Sequence, residues 1–380
     1  MDMLSSHQPW DTLRACAVGI SYPPEWYSYI ANSRVRKVME RIAVETEEDY
    51  QKLIAKLREF NVDVVRPVLP HSMEERFLSM GRYAIPPMVP RDHMAMIGNR
   101  FFAGRQAQTK TYLGAPSDYM NIVNYVAERG NNIVWDNRIN GAMVTRIGSD
   151  IYIGTNNRHQ FRYTYLETWH LDREPTWPEK APHEWHELTV GQQEQFVHNY
   201  TRRITDLFSD YRTHIVDTQG HTDGSFSPVC PGLIVSLVDV QNYAETFPGW
   251  EVIYLPEQSW NAITDFTKLK RKNNGKWWVP GEELNDDFTE FVELWLNQWV
   301  GYVEETVFDV NMLVIDRKNV LCNNYNKAVF DALERHGMTP HIINFRHRYF
   351  WDGGLHCITS DLDRIGERQD WFPERSQKAM

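Results

Sequence analysis

A chain of 380 residues, 42% of them hydrophobic, can bury a full core and is not disordered. Its formal charge of −11 argues against a general nucleic-acid binder, which presents a basic surface. The cysteines Cys16, Cys230, Cys322 and Cys357 are few and widely spaced, with no CxxC or zinc spacing, which suits a reducing compartment and not a disulfide scaffold.

In chain order, the opening MDMLSSHQPWDTLRAC lacks the apolar stretch of a signal peptide. No uninterrupted apolar run approaches the length of a membrane span, so the expectation is a cytoplasmic protein that needs no membrane. From Glu45 to Phe60 the positions Tyr50, Leu53, Ile54, Leu57 and Phe60 form one helical face, and the strand-like NVDVVRPV follows. The same helix-then-strand order returns over 116–136, 193–217 and 240–255, and again from Asn323 to HIINF. Between these units stand hairpin-like pairs that turn at Gly98-Asn99, Gly148-Ser149, Pro231-Gly232 and Arg317-Lys318. The last strand candidate, beside Cys357, is expected to pair with RACAVGIS near the N-terminus and close a ring. Five hairpin–helix–strand units with no Pro/Gly/Ser linker predict a single α/β domain over 1–380, with 1–33 as an N-terminal segment. Residues 164–190 and 256–300 break the repeat and read as insertions, of the kind that form lids or pocket walls.

Four short stretches fall where strands meet loops: PRD with Asp92, NRINGAM with Asn140, GHTDG with His221 and Asp223, and DGGLHCITSD with Cys357. A thiol can attack an electrophilic carbon while an imidazole moves protons between leaving and incoming amines. Two carboxylates suit a planar cation with several N–H donors, above all a guanidinium. Each stretch alone is ordinary: lone cysteines are mostly inert, and HxD is commonly a capped turn. Their agreement with a five-unit architecture carries the reading.

These stretches, with ETEEDYQKLIAKLREFNVDVVRP, RIGSDIY, GHTDGSFSPVCPGLIVS, MLVIDRKNV and GGLHCITSDLDRIG, resemble the glycine and inosamine amidinotransferases of the pentein superfamily. The resemblance runs from about Glu45 to Gly366. It implies a pentein-type fivefold pseudosymmetric α/β propeller and ping-pong transfer of an amidino group from an arginine-like donor to an amine. No cofactor, metal or nucleic acid is implied, and a homodimer is left open. By the same resemblance Cys357 is the nucleophile and His221 the general acid and base. Asp92 and Asp223 hold the guanidinium, and Gly353 and Gly354 give the flat donor room beside the thiol. His356, read as a strand residue, is expected to point away from Cys357 and to be structural. A hydrolase that discharges the cysteine adduct to water, or an impaired pentein acting as a binding protein, stays open as an alternative.

Two departures qualify the resemblance. Where the family usually has an aspartate beside the histidine, this chain has Asn140, which can orient an imidazole without adding a charge. Where glycine amidinotransferases carry an arginine for the substrate carboxylate, ungapped counting reaches Val240, and their serine pair aligns with Glu304 and Glu305. Losing a cation and gaining two anions favours an acceptor amine without a carboxylate. Elsewhere, HEWHE lacks the HExxH spacing and reads as a surface loop, and KLKRKNNGKWW reads as a solvated insertion.

Overall fold

The structure, a computed structural model, describes residues 2–70, 72–75, 86–104, 116–136, 141–155, 189–191, 202, 205–218, 221–237, 243–255, 258, 279–296, 309–351 and 353–377. The N-terminal segment is not an appendage. It holds strand β1 (Thr12–Val18), and the helix α1 (Ser33–Glu59) follows, leading to β2 (Asp63–Val65), which pairs parallel to β1. The helix starts well before the expected Glu45. Its first half, Val35, Val38, Met39 and Ile42, continues the buried face, and the Asn32 side chain caps it by accepting from the Arg34 and Val35 N–H groups. Asn61, in the left-handed region at φ 58°, turns the chain out of the helix.

The other units repeat this wiring. Strands β3 (Met94–Ile97), β4 (Arg100–Ala103) and β5 (Asn132–Trp135) form one sheet, and β6 (Val144–Ile147), β7 (Asp150–Thr155) and β8 (Arg212–Asp217) form the next. Then come β9 (Phe226–Cys230), β10 (Leu233–Leu237) and β11 (Glu251–Leu255), followed by β12 (Leu313–Val314), β13 (Asn319–Cys322) and β14 (Thr339–Ile342). In each, the first strand is antiparallel to the second and the second is parallel to the third. Two residues join the antiparallel strands in three of these sheets and four, 315–318, join β12 to β13, whereas the parallel step needs a long crossover, met by helices such as Met120–Ala127 and Lys327–Arg335. Gly98 and Gly148 take φ values of 60° and 62° at their hairpins, which a β-carbon would penalise. Strand β15 (Thr359–Ile365) completes the fifth sheet by pairing antiparallel with β1, as expected from the sequence.

Part of the 256–300 insertion is described. The helix Asp286–Phe291 and its continuation bring Phe288, Val292 and Leu296 onto the buried face of α1, joining the core of Leu53, Leu57, Leu313 and Phe350. That stretch therefore covers apolar surface. Residues 164–188 lie outside the described residues.

At the centre the units meet on one carboxylate. Asp361 of β15 is 1% exposed and accepts from Arg91 Nη2 at 3.1 Å, Arg364 Nε at 3.1 Å, Ser6 Oγ at 2.8 Å and Arg146 Nη2. Each arginine also reaches backbone carbonyls of other elements: Arg146 to Met96, Arg364 to Asp11 and Val314, and Arg91 to His356 and Thr359. Burial alone would push the Asp361 carboxyl up, but the three guanidiniums override it and hold it well below the usual range.

Asp361→Ala should lower unfolding stability by about 3–5 kcal/mol, because three buried cations lose their counter-charge. In the parent, a carboxyl depressed by folding stabilises fully above its unfolded value, near ~3.9, and that contribution drains as pH falls toward the folded value. Urea titrations of both proteins at neutral and acid pH check this: the parent should weaken at acid pH, and the variant should be weak throughout.

Candidate active site

The candidate residues lie in loops that lead into the first strands of the units. Asp92 lies in the 3-10 turn Pro90–His93 ahead of β3, Asp223 in the turn Thr222–Gly224 ahead of β9, and Cys357 in a turn ahead of β15. These turns meet: the ones ahead of β3, β6 and β9 pack in series, and β15 packs on the one holding Asp92. Arg91 ties the first to the last by donating from Nε to His356 O at 2.8 Å.

Cys357 is 3% exposed, and its Sγ lies 3.5 Å from Asp223 Oδ2. The same oxygen is 2.8 Å from His356 Nδ1. This corrects the expectation for His356. Residues 355–358 form a turn, so strand alternation does not separate His356 from its neighbour, and both side chains converge on Asp223. His221 sits half-buried at the start of the Asp223 turn, and its carbonyl accepts from Ser225 Oγ at 2.9 Å. Thus the structure brings Asp223, His356 and Cys357 into direct contact, with His221 and Asp92 on the adjoining turns. Asn140, Glu304 and Glu305 lie outside the described residues.

The electrostatics favour a charged carboxylate and a neutral ring. Burial pushes the Asp223 carboxyl up, but the His356 hydrogen bond, with the charges of His356, His221 and Arg91, brings it below the ordinary value. Burial and the nearby Arg91 charge lower His356, and the Asp223 contact opposes them without winning. A neutral ring facing a carboxylate carries its proton on Nδ1, an assignment made from the acceptor it faces. Asp223 Oδ1 is buried and has no hydrogen-bond partner among the described residues. A buried carboxylate oxygen in that state is set to receive a donor. By contrast, burial pushes the thiols of Cys16, Cys230 and Cys322 up to about 12, 11 and 12, as suits core cysteines.

Sequence reasoning passed over Asn311, at the corresponding place ahead of β12. Its Nδ2 is 2.9 Å from Cys357 Sγ, and its Oδ1 accepts from the His356 N–H at 2.8 Å. It also revises the reading of the glycines. A β-carbon on Gly354 would meet Asn311 Oδ1 at 2.5 Å, and one on Gly353 would meet Ile358 Cγ2 at 2.7 Å, so the room they leave is filled by the protein itself. The repeat was the available signal, because four of its five lead-in loops had already been singled out.

No family model matches the chain. Among curated proteins it is 25% identical over 170 residues to the mitochondrial glycine amidinotransferase of Xenopus laevis and 27% identical over 174 residues to that of Gallus gallus. Each match covers 44% of this chain, and the chain spans only 33% of the length of these relatives. Among solved structures, inosamine-phosphate amidinotransferase from Streptomyces griseus superposes with a TM-score of 0.61 at 16% identity, covering 98% of this chain and 99% of that one. An amidinotransferase of saxitoxin biosynthesis from Microseira wollei gives 0.57 at 16%, covering 97% and 99%. The fold is the pentein-type α/β propeller. No helix among the described residues is long and apolar enough to cross a membrane.

The His356 ring should titrate below the ordinary 6.5, and Asp223→Asn, which removes the carboxylate that favours the protonated ring, should lower its midpoint further. Histidine side-chain NMR across a pH series reads both. A midpoint above 6.5 in the parent contradicts the assignment.

Proposed function

Starting from this chain's kinship with the amidinotransferases of the pentein superfamily, we propose that it transfers an amidino group from L-arginine, or a similar guanidino donor, to an amine. The observation that carries the reading is the buried Asp223 carboxylate, 3.5 Å from the Cys357 sulfur through one oxygen and without a partner among the described residues on the other. A guanidinium donating to that second oxygen has its carbon within reach of the sulfur. A lowered carboxyl pKa keeps the holder charged at neutral pH.

In the proposed sequence the Cys357 thiolate attacks the guanidinium carbon and a C–S bond forms. The bond from that carbon to the donor's Nε then breaks, and the departing amine takes a proton from His221. An acceptor amine attacks the amidino carbon, a new C–N bond forms, the C–S bond breaks, and His221 takes the acceptor's proton. Asp92 is assigned to the donor alongside Asp223, and Asn140 to orienting His221. Val240, Glu304 and Glu305 point to an acceptor without a carboxylate. These last assignments rest on the sequence, as do the single-domain organisation and a cytoplasmic location.

Incubating the protein with arginine and weighing it intact should reveal an amidino adduct on Cys357, absent in Cys357→Ser and present when Cys16, Cys230 or Cys322 is changed to Ala. An adduct that persists in Cys357→Ser removes this residue from the chemistry. Asp92→Asn and Asp223→Asn should each weaken donor use by roughly tenfold to a few hundredfold, the equivalent of about 1.5–3 kcal/mol for a charge-assisted hydrogen bond. Steady-state kinetics with arginine check this, and unchanged kcat/KM would make the carboxylates structural.

A further inference from the structure

We infer that Asn311 is a positioning residue for the nucleophile: its amide N–H fixes the Cys357 sulfur and favours the thiolate, while its amide oxygen holds the turn that presents it. The inference rests on the reading of Cys357 as the nucleophile.

The orientation of the amide is settled by its neighbours. Oδ1 takes the His356 N–H at 2.8 Å and faces the Cys357 N–H at 3.4 Å, and two backbone donors require an oxygen there. The NH2 end is therefore the one that meets Sγ at 2.9 Å. The residue itself cannot drift. Asn311 is fully buried, and its backbone carbonyl accepts from Asn323 Nδ2 at 2.6 Å. Asn323 Oδ1 in turn accepts from the Leu355 N–H at 3.1 Å. The two asparagines thus grip the turn at Leu355, His356 and Cys357. Gly354 completes the device, because any β-carbon there would occupy the place of the Asn311 amide.

A second described group also faces the sulfur. Asp223 Oδ2, 3.5 Å away, accepts from a thiol but repels a thiolate. His356 already donates to that oxygen, and its lowered basicity leaves it without a full positive charge to offset the repulsion. Among the described hydrogen bonds to Sγ, the Asn311 N–H is the one that strengthens when the proton leaves. An N–H donor here favours the ionised, nucleophilic form without adding a cation that would repel a guanidinium.

The test is the pH dependence of Cys357 alkylation by iodoacetamide, followed by peptide mass, with thermal melting as a fold control. Asn311→Asp keeps an oxygen for the His356 N–H and replaces the N–H donor by an acceptor. It should raise the alkylation midpoint by about one pH unit or more, slowing alkylation at neutral pH about tenfold. Asn311→Ala should raise it as well and lower the melting temperature. Gly354→Ala, which presses on the same amide, gives a third readout should either variant fold poorly. An unchanged midpoint in a folded variant makes Asn311 a support for the turn alone and overturns the inference. Alkylation needs no donor, so this result stands apart from whether arginine forms an adduct.

Discussion

One buried carboxylate organises the molecule. Asp361 ties together elements of four of the five sheets and takes three guanidiniums that are themselves anchored to backbone carbonyls. A lone carboxylate in that place would be neutralised, and three unpaired arginines would cost several kcal/mol each. Together they are satisfied only when Met96, Val314, Thr359 and Ser6 are all in place. The arrangement is directional, because each guanidinium meets both the carboxylate and a backbone carbonyl. Each arginine measures the distance from one unit to the axis.

The turns that hold the candidate residues inherit that precision. Arg91 follows Pro90 and precedes Asp92, so the residue that binds Asp361 also fixes the Asp92 turn and, through His356 O, the Cys357 turn. Repetition of one unit places a turn from each sheet around a shared axis, and the residue type in each turn decides its task. A carboxylate stands in two of them, a thiol in one and an amide in another. Asp223 links these turns, since one of its oxygens is engaged by His356 and Cys357 and the other has no hydrogen-bond partner among the described residues.

Local order was legible wherever a short-range rule governs it. The hairpins at Gly98 and Gly148 and the helix-then-strand alternation follow from turn chemistry and periodicity, and the pairing of β1 with β15 follows from counting units. The start of α1 escaped because Arg34, Arg36, Lys37, Glu40 and Arg41 crowd the positions between Val35, Val38, Met39 and Ile42, although Asn32 marks its beginning. His356 was misplaced because strand alternation was applied to a residue that lies in a turn. Asn311 and the Asp361 cluster depend on contacts between positions 46 and 270 residues apart, and an amide or an arginine carries no reactive label in a sequence.

Amidino transfer is decided by where the guanidino carbon goes. Arginine labelled with carbon-13 at that carbon, mixed with the protein and an amino alcohol, should yield the label in a new guanidine and an equal amount of ornithine, seen by carbon NMR. Label appearing in urea or citrulline, or remaining wholly in arginine while the protein is folded, would contradict transfer.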